Sequence, residues 1–191
     1  MNRIRLSGLR YAFGALVRTA SALRSTAVAP LLAVVIFALS GSDARAQETG
    51  LPVGSKAPAS TLVETLDGKP FDLGQYVGKT PVLIEFWATW CPNCKQLEPA
   101  MEQAAKKYAG KIKFVAVAVS VNQSPERVKL YAEKHALPLE VYFDRKGAAA
   151  DGYDAAATSY IVVLDKTGAV VYTGLGGTQN IDAAVKKGIG G

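Results

Sequence analysis

Two cysteines separated by two residues constrain this chain more than any other feature of its sequence. Cys91 and Cys94 are the only cysteines among its 191 residues. A disulfide between them would stabilise the fold little, because the entropic stabilisation grows with the length of the closed loop. An apolar run at residues 82–88 precedes the pair, and a helical pattern follows it from Cys94 to about Tyr108. A CxxC pair at such a strand-to-helix junction indicates thiol–disulfide exchange.

The first 46 residues have the composition of a secretory signal. Residues 1–24 contain five arginines and no acidic residue, residues 27–39 are apolar apart from one proline, and small residues end the segment at Ala46. We expect cleavage after Ala46, because the apolar run is shorter than the roughly 20 residues of a membrane span. An uncleaved membrane anchor is the alternative, since the basic segment is long for a signal. In both cases the sequence predicts a periplasmic location.

The net charge of +6 belongs mostly to this leader. Six of the 22 basic residues but only one of the 16 acidic residues precede position 47, so the rest of the chain is close to neutral. The high isoelectric point therefore gives no indication of nucleic-acid binding, and the basic leader follows the positive-inside rule instead.

The remaining sequence predicts an α/β fold in one domain. Residues 47–57 contain glycine and proline breakers and are expected to be an extended linker or arm. Residues 58–188 then form the domain, with a central mixed sheet flanked by helices. Residues 144–159, rich in alanine and glycine, are expected to be an irregular connection. The predicted strands are 59–65, a short one near 71, 82–88, 113–119, 139–143, 160–164 and 169–173, and the predicted helices are 94–108, 125–135 and 181–187.

Motifs on both sides of the cysteines occur in a fixed order. Ala57-Pro58 precedes a Leu-Asp-Gly-Lys turn at 66–69, residues 86–91 read Phe-Trp-Ala-Thr-Trp-Cys, and Asp165-x-x-Gly168 follows late in the chain. In this order they resemble the thioredoxin superfamily, and within it the exported thiol–disulfide oxidoreductases of the TlpA/ResA type.

That resemblance covers residues 51–188 and implies a thioredoxin-like fold without a cofactor. It further implies client proteins with disulfides or thiols, a membrane thiol-electron donor and a monomeric state. Reduction of client disulfides, for example in the maturation of cytochromes or metal-site proteins, is the expected direction of electron flow.

The residues of the motif have distinct expected roles. Cys91 lies at a helix N-terminus, which favours the thiolate that attacks disulfides. Cys94, one turn further on, is expected to be less exposed and to resolve the mixed disulfide. Pro92 cannot donate a hydrogen bond to sulfur whereas Asn93 can, so this dipeptide tunes the reduction potential. Trp90 is the aromatic residue expected to flank the client.

Glu85 lies six residues before Cys91, inside an otherwise apolar strand where an unpaired carboxylate is costly. Thioredoxins have a buried acid at the matching position. By this resemblance Glu85 acts as a general base toward Cys94, with a pKa raised by burial. The alternative is a glutamate on a sheet edge or paired with Lys111 or Lys113.

Proteins of the TlpA/ResA type instead tend to carry their acid six residues after the first cysteine. Leu97 occupies that position in this chain, and Glu98 beside it points in a different direction around the helix. The arrangement of acids is therefore closer to that of thioredoxin itself.

The main departure from the resemblance concerns the loop that faces the cysteines. Thioredoxin-fold oxidoreductases have a cis-proline there, whose neighbour pairs with the client backbone. Counting back from Asp165, this position is Ser159, with Thr158 as the neighbour. Because a non-proline cis bond costs about 3–4 kcal/mol, we expect a trans Thr158–Ser159 bond and a rearranged loop. Ser159 is either a hydrogen-bond donor to the Cys91 thiolate or a plain loop serine.

A second hypothesis follows from the absence of the proline. In the family this proline hinders metal binding near the cysteines, so without it the protein would carry Cu(I) or an iron–sulfur cluster on Cys91 and Cys94. Two thiolates without a well-placed histidine make an incomplete site, and the single histidine, His135, is expected to end a helix where a positive group suits the dipole. We therefore expect no metal site. A peroxiredoxin ranks last, because its Thr-x-x-Cys signature is missing.

Overall fold

The computed structural model describes residues 50–190. The expected signal segment, residues 1–46, lies outside the described residues, as does the start of the expected arm. Among the helices of residues 50–190, none has the length and apolar character needed to span a bilayer.

Seven strands and four helices make up the described chain, with one 3₁₀ turn at Leu73–Gln75. The strands are β1 (Leu62–Thr65), β2 (Pro70–Asp72), β3 (Val82–Trp87), β4 (Lys113–Val119), β5 (Glu140–Asp144), β6 (Tyr160–Leu164) and β7 (Val170–Leu175). The helices are α1 (Pro92–Lys107), α2 (Pro125–Lys134), α3 (Ala148–Gly152) and α4 (Ile181–Ile189).

The strands form one mixed sheet, as the sequence predicts, and their order is β2-β1-β5-β4-β3-β6-β7. Strands β3, β4 and β5 are parallel, while β6 pairs antiparallel with β3. All six residues of β3 are buried, because helices cover both faces of the central strands. The carboxyl ends of the parallel strands lie at the same end of the sheet, and the cysteines follow β3 at that end.

The connection at residues 144–159 is more regular than predicted, because it contains the short helix α3. Gly147 adopts a left-handed conformation (φ 74°) immediately before the helix. The carboxylate of Asp144 then accepts a hydrogen bond from the Ala150 N–H at 2.8 Å. The alanines at 148–150, which have high helix propensity, were the signal for this helix in the sequence.

The described part of the expected arm is paired with the domain, so residues 50–57 are not a free linker. Lys56 forms an antiparallel bridge with Ala169, and the Gly54 N–H donates to the Val170 carbonyl at 2.8 Å. The Leu51 N–H donates to the hydroxyl of Tyr160 at 3.1 Å. This pairing joins residues more than a hundred positions apart, so local sequence patterns do not reveal it. The domain therefore begins before residue 58.

Candidate active site

The two cysteines occupy the start of α1 and form a disulfide in this structure. Cys91 is the N-cap residue, and its sulfur accepts a hydrogen bond from the Cys94 N–H at 3.1 Å. Pro92 follows at the first helical position, where its fixed φ suits the helix and its missing N–H leaves no donor unpaired. The first turn of α1 contains no acidic residue. The positive end of the helix dipole therefore acts on Cys91 without a neutralising carboxylate in that turn.

Burial does not distinguish the two cysteines, contrary to the prediction that Cys94 is the less exposed. Cys91 is 2% exposed and Cys94 is 3% exposed, and both belong to an apolar cluster with Trp87 and Ala88. The reason is the capping geometry, which turns the Cys91 sulfur back over the first turn of the helix. In the disulfide form the two sulfurs differ in position rather than in exposure, because Cys91 is the N-cap and Cys94 lies within the first turn of the helix.

The loop before the cysteines is attached to the loop that follows β4. The Trp90 indole N–H donates to the Val121 carbonyl at 2.8 Å, although the residue is 38% exposed. The Thr89 N–H donates to the Gln123 side-chain oxygen at 2.9 Å, and the Gln123 amide donates to the Val119 carbonyl at 2.6 Å. Sequence reasoning missed Gln123, because a polar loop residue carries no local signal for a contact 34 positions away.

Glu85 lies in the middle of the sheet. Its strand neighbours are Ala116 in β4 and Ile161 in β6, so it is not on an edge. The residue is 6% exposed, and Lys113, one of its predicted alternative partners, bonds Glu140 instead at 2.7 Å. Burial, and secondarily the nearby charge of Glu98, raises the pKa of Glu85 to about 8.

The neighbours of Glu85 along β3 locate it beneath α1. Leu83 packs in a cluster with Leu97 and Met101 of that helix, and Trp87 packs in the cluster that contains the cysteines. Since side chains two apart in a strand point to the same face, Glu85 lies between these two clusters. It therefore occupies the same side of the sheet as the CxxC pair.

Ser159 is buried in a left-handed conformation with φ 67° and no measurable exposure. Its N–H donates to the Phe86 carbonyl at 2.8 Å, and its carbonyl accepts from Gly176 and Gln179 at 3.1 and 3.0 Å. Its hydroxyl oxygen has no hydrogen-bond partner within residues 50–190. The backbone N–H and C=O of Ser159 are therefore both bonded within the protein.

A groove of about 360 Å³ brings together Thr158 and Trp90, the residue that precedes Cys91 in the chain. Its other walls are Val119 to Val121 and the alanines before Thr158. Pro92 and Asn93 are exposed beside the buried disulfide. The predicted site residues from Trp90 to Cys94, together with Thr158, thus lie at the carboxyl-terminal end of β3, while Glu85 and Ser159 are buried.

Residues 52–187 match the Redoxin family. The chain belongs to this family. The thioredoxin-like protein YneN of Bacillus subtilis is 38% identical over 125 residues, which span 65% of this chain and 72% of YneN. The thiol-disulfide oxidoreductase ResA of Geobacillus thermodenitrificans is 31% identical over 124 residues, which span 65% of this chain and 70% of ResA. A solved thiol:disulfide interchange protein of the thioredoxin family from Chlorobium tepidum is 26% identical, with a TM-score of 0.58 over 73% of this chain and 99% of that protein.

These similarities confirm the predicted thioredoxin-like fold and the predicted enzyme class. This protein is a thiol–disulfide oxidoreductase of the thioredoxin type. Within its described residues, no group of three or more histidine, cysteine, aspartate or glutamate side chains is arranged to hold a metal ion. The hypothesis of a thiolate metal carrier therefore gains no supporting observation there. His135 ends α2 as expected, but it also stacks on Tyr131 with ring centroids 4.0 Å apart.

Replacing Gln123 with alanine should lower the free energy of unfolding by about 1–3 kcal/mol. The reason is that the buried Thr89 N–H would lose its hydrogen-bond acceptor. Urea denaturation of the oxidised protein measures this change. Gln103→Ala, at an exposed site on α1, is the matched control and should leave stability within about 0.5 kcal/mol. Equal stability of the Gln123 variant and the control would show that this link between the loops contributes nothing.

Proposed function

We propose that this protein is an exported enzyme that exchanges electrons with the disulfides or thiols of client proteins through Cys91 and Cys94. The observation that carries the proposal is the position of Cys91, which caps the N-terminus of α1 and directly follows Trp90, a wall of the groove that also contains Thr158. A helix N-terminus lowers a thiol pKa, and an adjacent groove with an exposed aromatic residue suits an extended client segment.

The reaction in the reducing direction begins with the reduced enzyme. The Cys91 thiolate attacks one sulfur of the client disulfide, which breaks that bond and forms a mixed disulfide. The client sulfur that leaves takes up a proton. Cys94 then loses its proton, attacks the Cys91 sulfur, and releases the second client sulfur as a thiol. Two electrons and two protons thus pass to the client, and the enzyme ends as the Cys91–Cys94 disulfide.

Glu85 accepts the proton of Cys94 in this scheme and returns it in the reverse direction. Its burial beneath α1, on the same face of β3 as the cysteine cluster, supports this role. Because the pKa of Glu85 is about 8, the carboxyl changes its protonation state near neutral pH, as a group that both accepts and donates should.

The cellular setting is the finer part of the proposal. The basic and apolar leader supports export to the periplasm, with cleavage after Ala46. The expected clients are proteins whose cysteines must be reduced, such as apocytochromes or metal-site proteins, and a membrane thiol donor re-reduces the enzyme. The protein acts as a monomer.

Trapping with Cys94→Ala tests the proposed function. This variant keeps the attacking thiol but lacks the resolving one, so client proteins should accumulate as disulfide-linked adducts of Cys91, identified by mass spectrometry of periplasmic extracts. Cys91→Ser is the matched control and should trap no client. N-terminal sequencing of the exported protein should begin at Gln47. Adduct levels that are the same in both variants would contradict the assignment of Cys91.

A further inference from the structure

A small cavity lies behind the cysteines, under α1. It has a volume of about 20 Å³. A water molecule requires roughly 10–15 Å³ and two or more polar partners. The polar side chains at this cavity are Glu85 and Trp87 from β3 and Glu98 from α1, and the remaining lining is apolar: Met101, Ala116 and residues 137–139. The cavity therefore has room for one water molecule among these three polar side chains.

Two buried polar atoms at this cavity lack a protein partner. The Glu85 Oε1 atom and the Trp87 indole nitrogen make no hydrogen bond within residues 50–190, and each residue is at most 6% exposed. Burying a polar atom without a hydrogen-bond partner destabilises a protein, so two such atoms at one cavity require an explanation. A single water that accepts from the indole N–H and donates to the carboxyl oxygen would satisfy both atoms.

Glu98 connects this cavity with the surface. Its side chain is 29% exposed. The Tyr131 hydroxyl donates to Glu98 Oε1 at 2.5 Å, and the His135 Nδ1 atom lies 3.5 Å from Oε2. Tyr131 in turn packs on Trp87, with ring centroids 5.5 Å apart. The Glu98 side chain is thus held in place, lines the cavity and is also in contact with solvent.

The groups that face Glu85 are few. Glu98 lines the cavity from α1, and Tyr131 and His135, at the end of α2, contact Glu98. The parts of β4 and of residues 137–139 that line the cavity carry only apolar side chains. Within the described residues, therefore, Glu98 is the one carboxylate at the cavity that can act on Glu85.

We propose that Glu98 is a positioning residue for Glu85, and that the water in this cavity passes the Glu85 proton to Glu98 and then to solvent. This inference rests on the proposed role of Glu85. When Cys94 is deprotonated, its proton moves to Glu85, from Glu85 to the water, and from the water to Glu98, each group releasing one proton as it accepts the next. The negative charge of Glu98 also favours the protonated form of Glu85.

The pH dependence of disulfide reduction tests this assignment. Reduction of the Cys91–Cys94 bond by dithiothreitol is followed by tryptophan fluorescence from pH 5 to 10 in the wild type. Glu98→Gln should move the inflection due to Glu85 to lower pH by about half to one unit, because it removes a like charge. Glu98→Asp should restore it. Glu102→Gln, on the same helix but exposed, is the control and should leave the inflection unchanged.

Two further measurements separate the possible outcomes. Glu85→Gln should remove the inflection due to Glu85. An inflection that persists in this variant would overturn the role of Glu85, whereas exchange through Cys91 and Cys94 is tested separately by the Cys94→Ala trapping. If Glu85→Gln removes it but Glu98→Gln leaves it at the wild-type pH, only the role of Glu98 is overturned. If Glu98→Gln does not fold, Tyr131→Phe replaces it. This variant removes the hydrogen bond that holds the Glu98 carboxylate near the cavity. The carboxylate can then move away from Glu85, so the inflection should move to lower pH by a smaller amount.

The bound water has its own test. The indole proton of Trp87, assigned with the help of a Trp90→Phe variant, should show a nuclear Overhauser cross-peak to a long-lived water molecule in the oxidised protein. A dry cavity, with no such cross-peak, would overturn the proposed proton path.

Discussion

Replacing Ser159 with proline should destabilise the protein by at least about 3 kcal/mol, although proline is the residue that the thioredoxin-fold resemblance expects at this position. Proline fixes φ near −65°, whereas Ser159 has φ 67°. Proline also lacks the N–H that Ser159 donates to the Phe86 carbonyl at 2.8 Å. Because Ser159 is fully buried, no water replaces that bond. A proline at an incompatible site destabilises by more than it gains from restricting the unfolded chain.

Two variants at the same position separate the causes. Ser159→Gly keeps the N–H and relieves the left-handed conformation, so its stability should equal or slightly exceed that of the wild type. Ser159→Ala keeps the backbone and removes only the unpartnered hydroxyl. A change in the rate of thiol–disulfide exchange in this variant would therefore assign the hydroxyl a role toward Cys91. Urea denaturation of the oxidised proteins gives the free energies. If Ser159→Pro is as stable as the wild type, the loop can adopt a conformation that accepts proline, and the prediction is wrong.

The parts of the site that depend on local pattern could be predicted from the sequence. The CxxC pair follows an apolar run and precedes a helical period, so its place at a strand-to-helix junction is fixed by neighbours in the chain. Glu85 is surrounded by apolar residues on both sides, and this alone predicted its burial. The missing proline at Ser159 was also visible, but the sequence does not give the sign of φ, which depends on the contacts of the loop with β3.

The contacts between distant segments could not be predicted. Glu98 was expected to point away from the position of the acid in TlpA/ResA-type proteins, yet it reaches the cavity at Glu85. The reason is that the cavity is shared by α1, β3 and β4 and closed by residues 137–139, so its position depends on how these elements pack. The hydrogen bonds of Tyr131 and Gln123 likewise depend on how α2 and its preceding loop lie against α1.

The stability of the oxidised protein should decrease as the pH rises from about 5 to about 8, because of Glu85. Its pKa is raised from 4.5 in the unfolded chain to about 8 in the native state. Between these values the native state holds a proton that the unfolded state has lost. Stability is therefore greatest below the unfolded pKa and is lost as the pH rises through the native pKa, by an amount on the order of several kcal/mol.

Glu85→Gln should remove this dependence, because the amide does not titrate. Denaturation curves at pH 5, 7 and 9 measure it, and at pH 9 the variant should be more stable than the wild type. A wild-type protein whose stability is flat from pH 5 to 9, like that of Glu85→Gln, would contradict the raised pKa.

Glu85→Leu should extend this result to function, because leucine fits an apolar site that glutamate occupies at a cost in stability. The variant should be more stable than the wild type at pH 9, yet it should resolve the mixed disulfide about 10²–10⁴-fold more slowly, as expected for the loss of a general acid–base group. Single-turnover reduction of a peptide disulfide measures the rate. A carboxylate that lowers stability but raises the rate is retained for its chemistry, whereas a variant that is both more stable and equally fast would show that Glu85 has no part in proton transfer.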